Sequence, residues 1–267
     1  MKAGMGVVFL AVMVTLTVGA PSASASDVEG SFAFRETFLP PGPPSVALRD
    51  DETAILWNPA GLPHSRTYYL GYTWKSVYLA GHQKTITHFF LTKARGFATG
   101  FVRDNISEGV KTATVLSIAP EIWRGFSLGF TGKWKGKFNY DLGAMLRIRR
   151  RVSLGIVGRN IRHKPDVRRY WEGGIGIYAI PGKLTFFCDV VQEDSPWREE
   201  IGYGCGLTLR LRGGFVTRAS YFDDGSGNGI IRASLVLTSP ATVLEGEYSS
   251  WTKDWETMAV RLASRSR

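Results

Sequence analysis

From Arg66 to the C-terminus the sequence divides into segments of about ten residues in which apolar and polar side chains alternate one for one, each bounded by turn residues. Fourteen such segments can be placed, the first near 66–74 and the last near 254–263. The connections narrow the choice of fold further. The even-numbered ones are tight: Ala94-Arg95, Pro120 to Trp123, Arg149 to Arg151, Pro181-Gly182, Leu211-Arg212 and Ser239 to Ala241. Most odd-numbered ones read as longer and more polar, among them Arg103 to Glu108, Ile161 to Arg168, Gln192 to Glu199 and Asp223 to Asn228. Short turns at one end and long loops at the other predict an all-β transmembrane antiparallel β-barrel of about fourteen strands, set in a bacterial outer membrane with both termini periplasmic. A soluble β-sandwich has no reason to sort its loops in this way.

The faces of the segments agree with that expectation. In Tyr140 to Ile148 the set Tyr140, Leu142, Ala144, Leu146 and Ile148 is assigned to lipid, and Asp141, Gly143, Met145 and Arg147 to the lumen. Ile231, Ala233, Leu235 and Leu237 likewise point outward, with Arg232 and Ser234 inward. Trp and Tyr gather at segment ends, where headgroup-level rings belong. Composition enters here. The mean hydropathy of −0.06 excludes a bundle of membrane helices but is the average expected when lipid-facing and lumen-facing residues alternate. Two cysteines in 267 residues exclude a disulfide-built scaffold.

Residues 1–25 read as a signal peptide: Lys2, an apolar run from Val7 to Val18, then Ala23-Ser24-Ala25. Without Lys2 the chain carries 32 basic and 23 acidic residues, a charge of +9. Residues 26–65 lack the period-2 pattern and form an N-terminal hatch or plug segment, and 66–267 form the barrel. Asp50 to Ile55 can make a short helix with acids in its first turn. Asn58-Pro59-Ala60-Gly61 then reads as a turn.

The run Asp50-Asp51-x-x-Ala54-x-x-Trp57-Asn58-Pro59-Ala60-Gly61-Leu62, ahead of amphipathic strands, resembles the hatch signature of FadL-type outer-membrane barrels. Within these it is most similar to the PorV/PorQ branch associated with type IX secretion. The resemblance runs from about Val46 to the last strand, specific in Asn58 to Gly61 and stylistic elsewhere. It implies a monomeric barrel closed by its N-terminal segment. It also implies passive passage of hydrophobic or amphipathic molecules, with a fatty acid-like ligand, or alternatively an interaction protein that receives secreted proteins. A structural barrel without transport is the third expectation.

Other candidate groups have structural readings beside functional ones. Lys133, Lys135, Arg147, Arg159, Arg210, Arg218, Arg232 and Arg261 are expected to face the lumen, with Asp141, Asp189, Glu245 and Glu247 among them. Such charges either pair across the wall and grip the plug or attract an anionic headgroup. Cys188 and Cys205 are equidistant from the turn at Ser195 to Trp197 and so lie opposite one another. Either a cross-strand disulfide or two thiols packed as small apolar residues fits that position. His64, His82, His88 and His163 lack metal-ligand spacing, no catalytic grouping is evident, and no cofactor is expected. Outer-membrane lipid and lipopolysaccharide are the expected surroundings. Nucleic-acid binding is not expected, because the basic residues are spread over the barrel.

Overall fold

The computed structural model describes residues 45–48, 53–64, 68–79, 82–106, 109–135, 137–149, 151–162, 169–194, 201–223, 229–239, 242–249 and 254–266. After a short helix α1 (Ala54–Trp57) and a 3₁₀ segment (Pro59–His64), everything described is strand and connection. The strands are β1 (Tyr68–Leu79), β2 (His82–Ala94), β3 (Phe97–Ile106), β4 (Gly109–Ile118), β5 (Glu121–Trp123), β6 (Phe126–Lys135), β7 (Lys137–Ile148) and β8 (Val152–Arg159). They continue as β9 (Arg169–Ile180), β10 (Leu184–Asp194), β11 (Ile201–Arg210), β12 (Phe215–Asp223), β13 (Gly229–Thr238), β14 (Thr242–Ser249) and β15 (Asp254–Ser266). Fourteen are long, and β5 is a three-residue stub inside the turn expected at Pro120 to Trp123.

All pairings are antiparallel and belong to one sheet. β1 pairs with both β2 and β15, and β4 pairs with both β3 and β6, so every long strand has a hydrogen-bonded neighbour on each side. Each residue's face therefore follows from its parity. On β7, Leu142 is 44% exposed while Asp141 is 2% exposed. Along the rest of the sheet Ile156, Ile177, Leu235 and Leu244 are exposed, whereas Glu172, Asp189, Arg232 and Glu245 are buried. The polarity is the reverse of a soluble protein, with aliphatics outside and charges inside.

Three boundaries differ from those read in the sequence. Arg103 to Ile106 continue β3 and pair with Thr112 to Gly109, so only residues 107–108 connect β3 to β4. Gln192 to Asp194 likewise belong to β10. Polar side chains mask these ends, because ladder hydrogen bonds run on past the last apolar residue and need no apolar side chain. The helix starts at Ala54, later than the expected Asp50 to Ile55, and has no acid in its first turn. Asp50 and Asp51 lie outside the described residues. At the tight turns the backbone sets the residue. Gly96 and Gly125 take φ of 71° and 86°, and a Cβ there would meet the carbonyl oxygens of Ala119 and Arg147.

Candidate functional site

The described part of the N-terminal segment lies against the buried face of the sheet. Ala54, Ile55, Ala60 and Leu62 have no exposed surface, and Leu56 and Trp57 are buried. Ala54, Ile55, Leu56, Trp57 and Leu62 pack on Tyr69 of β1, Phe89 and Leu91 of β2, Ala98 and Val102 of β3 and Val115 of β4. This part of the inner wall is rich in apolar side chains, with the buried Lys93 in register opposite Tyr69. Burial of a Leu, Ile or Trp side chain of this kind contributes about 1.5–3 kcal/mol each.

Asn58 ends the helix and organises the turn after it. Its backbone is extended, at φ −148° and ψ 104°, as the residue before a proline prefers. The Oδ1 accepts from the Ala60 N–H at 3.1 Å, and the Asn58 carbonyl accepts from the Gly61 N–H at 2.9 Å. These two bonds turn the chain into the 3₁₀ segment. The Nδ2 donates to the carbonyls of Val46 at 3.0 Å and Ala144 at 3.3 Å, which ties the turn both to the upstream segment and to β7. Asn58, Pro59, Ala60 and Gly61 are all buried.

A track of inward glycines receives this chain. Gly129 of β6 pairs with Gly143 of β7, and Gly155 of β8 pairs with Gly174 of β9. A Cβ on Gly129 would overlap Pro59 and Ala60, and one on Gly143 would overlap the Asn58 side chain. At Gly155 it would come 2.6 Å from the Val46 carbonyl oxygen, and at Gly176 of β9 it would overlap Leu48. The segment thus crosses β6 to β9 obliquely, its backbone filling the space at Gly129 and Gly155 and its Asn58 and Leu48 side chains the space at Gly143 and Gly176. Sequence reading misses these glycines, since an inward glycine is indistinguishable from any small lumen residue until the partner chain is in place. Their parity, Gly143 and Gly155 on the lumen side of their strands, is the one available signal.

Polar groups on the same wall hold the segment's carbonyls. Thr131 Oγ1 donates to the Ile55 carbonyl at 3.0 Å, and Ser127 Oγ donates to that of Ala60. His64 Nε2 lies 2.9 Å from Ser127 Oγ, so the ring N–H donates there. Arg159 of β8 donates from Nη1 to the Leu56 carbonyl and from Nη2 to the Trp57 carbonyl at 2.6 Å. A cation is thereby set on the carbonyl end of α1, whose last carbonyls have no partner within the helix. The guanidinium also stands 5.9 Å from the Trp57 ring centroid and 5.7 Å from that of Tyr170. Behind it, Glu172 Oε2 lies 3.5 Å from Nη2 and Asp141 Oδ2 lies 4.0 Å from Nη1. Asp141 in turn accepts from Lys133 Nζ at 2.6 Å and from the Asn160 N–H at 2.9 Å. At the upstream end Ser45 Oγ donates to Asp189 Oδ1 at 3.1 Å.

The remaining expected lumen charges lie in other places. Arg218 of β12 is paired with Glu245 of β14, and Arg232 of β13 stands over the Phe222 ring at 5.6 Å. Arg147 Nη2 donates to the Tyr178 hydroxyl at 3.4 Å, and Glu247 is half-buried on β14. These contacts join wall residues to one another. Arg210, expected inward, is exposed, because it is the last residue of β11, at the edge of the wall where solvent reaches its side chain. The side chains of Lys135 and Arg261 lie outside the described residues. Cys188 and Cys205 pair in register across β10 and β11 and are joined as a disulfide, with Cα atoms 4.1 Å apart. Both are exposed on the outer face, not packed as buried thiols. Among the described residues no three potential metal ligands come together.

The fold is that of outer-membrane β-barrels. The Acinetobacter baumannii outer membrane protein Omp33 superposes with a TM-score of 0.51 at 10% identity, over 75% of this chain and 99% of that one. A triple mutant of Rhodopseudomonas blastica porin superposes at 0.49 with 10% identity, over 74% of this chain and all of the other. At 10% identity the likeness to Omp33 is one of fold alone. No protein-family model and no curated protein matches the chain.

Proposed function

We propose that this chain is a bacterial outer-membrane protein whose strands close a barrel around the N-terminal segment, and that the segment is a hatch on a passive route for hydrophobic or amphipathic molecules. The observation that carries the reading is the wall beneath the hatch. A water-filled pore is lined by polar groups. Here Tyr69, Phe89, Leu91, Val102 and Val115 meet the apolar side of α1, so a molecule that takes the hatch's place finds an apolar surface. On the other side it finds Arg159 and Thr131, which lose their partners Leu56, Trp57 and Ile55. One apolar and one hydrogen-bonding wall suit an amphipathic molecule such as a fatty acid. The inverted polarity of the sheet supports the membrane setting, with outer-membrane lipid and lipopolysaccharide as surroundings. The roles are those of a conduit and its gate, not of an enzyme.

The test is uptake of a fluorescent fatty acid into proteoliposomes by the full chain and by a form lacking 26–65. Uptake by both, faster without the hatch, is the expected result. Absence of uptake in both forms, each confirmed as folded by heat-modifiable migration, overturns the transport reading. Co-purification of secreted proteins with the full chain would then favour the receiving role implied by the resemblance at Asn58 to Gly61.

A further inference from the structure

The two ends of the sheet differ in charge. The connections at the end where the sequence reading places the tight turns are 95–96, 119–125, 149–151, 181–183, 211–214 and 239–241. They contain seven basic residues and one acidic, a balance of +6. At the opposite end the connections are 80–81, 107–108, 136, 160–168, 195–200, 224–228 and 250–253, with five of each sign. Among the described residues of the first set of connections, six are basic and Glu121 alone is acidic.

Geometry spreads them into a collar. Arg95, Arg124, Arg149, Arg151, Lys183 and Arg212 are exposed and come from five different turns around the sheet. Arg95 is paired with Glu121 at 3.1 Å. The other five have no ion-pair partner among the described residues. Directly next to them on the outer face stand Ile122, Trp123, Ile148, Ile180 and Leu211, each at least 40% exposed. An apolar belt that passes into a ring of free cations matches one surface in particular, the acyl chains and phosphates of a bilayer leaflet. A protein partner would leave no reason for the cations to follow the belt around the wall.

We propose that this collar binds anionic phospholipid headgroups of the leaflet at the tight-turn end, the periplasmic one. The proposal rests on the membrane-barrel reading above. Each engaged cation favours an anionic over a neutral headgroup by about fivefold at low salt, and screening removes the effect as ionic strength rises.

The test uses the full chain in vesicles and reads Trp123, as the difference between the parent and Trp123→Phe. Quenching is compared for brominated phosphatidylglycerol and brominated phosphatidylcholine. The expected result is several-fold stronger quenching by the anionic lipid, diminished at high salt. It should be lost in a variant combining Arg124→Gln, Arg149→Gln, Arg151→Gln, Lys183→Gln and Arg212→Gln, whose exposed turn side chains can change without disturbing folding. Equal quenching by the two lipids, or a preference that survives in the variant, overturns the collar and leaves the barrel standing. Quenching by neither lipid overturns the membrane reading and the collar with it.

Discussion

Arg159 holds Trp57 twice, through the backbone carbonyl at 2.6 Å and through the indole face at 5.9 Å. The same guanidinium faces Glu172 and Asp141, so it is the point where the hatch is joined to the buried charges of the wall. Arg159→Ala removes the clamp and leaves two carboxylates without this cation, a change that costs about 3–5 kcal/mol in a buried network. The expected outcome is a barrel that still migrates as folded, with a lower urea midpoint and a hatch that trypsin cleaves. Arg159→Lys should fall between, because one ammonium cannot reach both carbonyls in the fork geometry. Equal protease resistance of all three proteins would remove Arg159 from the clamp.

The glycine track makes a second prediction, independent of charge. Adding a methyl at Gly143 puts it on the Asn58 side chain, and at Gly129 on the backbone of Pro59 and Ala60. Overpacking of this kind costs about 1–3 kcal/mol, and it falls on the docked hatch, since the strands themselves lose no hydrogen bond. Gly129→Ala and Gly143→Ala should therefore raise single-channel conductance in planar bilayers without lowering the stability of the form that lacks 26–65. A conductance unchanged from the parent would mean that the hatch does not block the lumen at this point.

These two elements are unequally legible in the sequence. The strands are readable because a wall between two media imposes a period of two on every segment, so Leu142 against Asp141 declares a face without any knowledge of neighbours. Asn58 is readable because a turn is local: its partners Ala60 and Gly61 are two and three residues away. Parity puts Arg159 on the lumen side, yet its partner Trp57 is 102 residues distant, and parity gives a direction without a partner. Glycine is the extreme case. The function of Gly129 lies in the side chain it does not have, and only the chain that fills that space reveals it. Strand ends such as Arg103 to Ile106 mislead for the opposite reason, because their polarity suggests a loop while their pairing is set by the backbone.

Asn58 allows a pH-dependent test. Its amide donates to two carbonyls and accepts from Ala60, so Asn58→Ala forfeits three hydrogen bonds and takes their partner from the buried Val46 carbonyl and Ala60 N–H, at about 1–3 kcal/mol. Asn58→Asp keeps the acceptor for Ala60 but sets a carboxylate against the carbonyl oxygens of Val46 and Ala144. The charged form repels them, whereas the protonated form has an O–H to donate. Docking of the hatch therefore takes up a proton and is favoured as pH falls. Conductance of Asn58→Asp should be high at neutral pH and fall towards the parent level in acid, while that of Asn58→Ala stays raised at both. Identical pH profiles for the two variants would place the amide donor outside the docking interaction.

The disulfide gives the last test. Cys188 and Cys205 face outward on strands that are already paired, so the bond adds no new contact to the lumen and acts on the unfolded chain by closing a loop across a separation of 17 residues. Loop closure of this length is worth about 3 kcal/mol. Cys188→Ala with Cys205→Ala should accordingly lower the urea midpoint yet leave conductance, hatch protection and fatty-acid uptake as in the parent. Alkylation of the denatured, unreduced protein should add no mass, and after reduction two groups. A protein that alkylates without reduction would contradict the bond. A variant with altered uptake would contradict the separation of this outer-face staple from the hatch, whose contacts lie on the opposite side of the same wall.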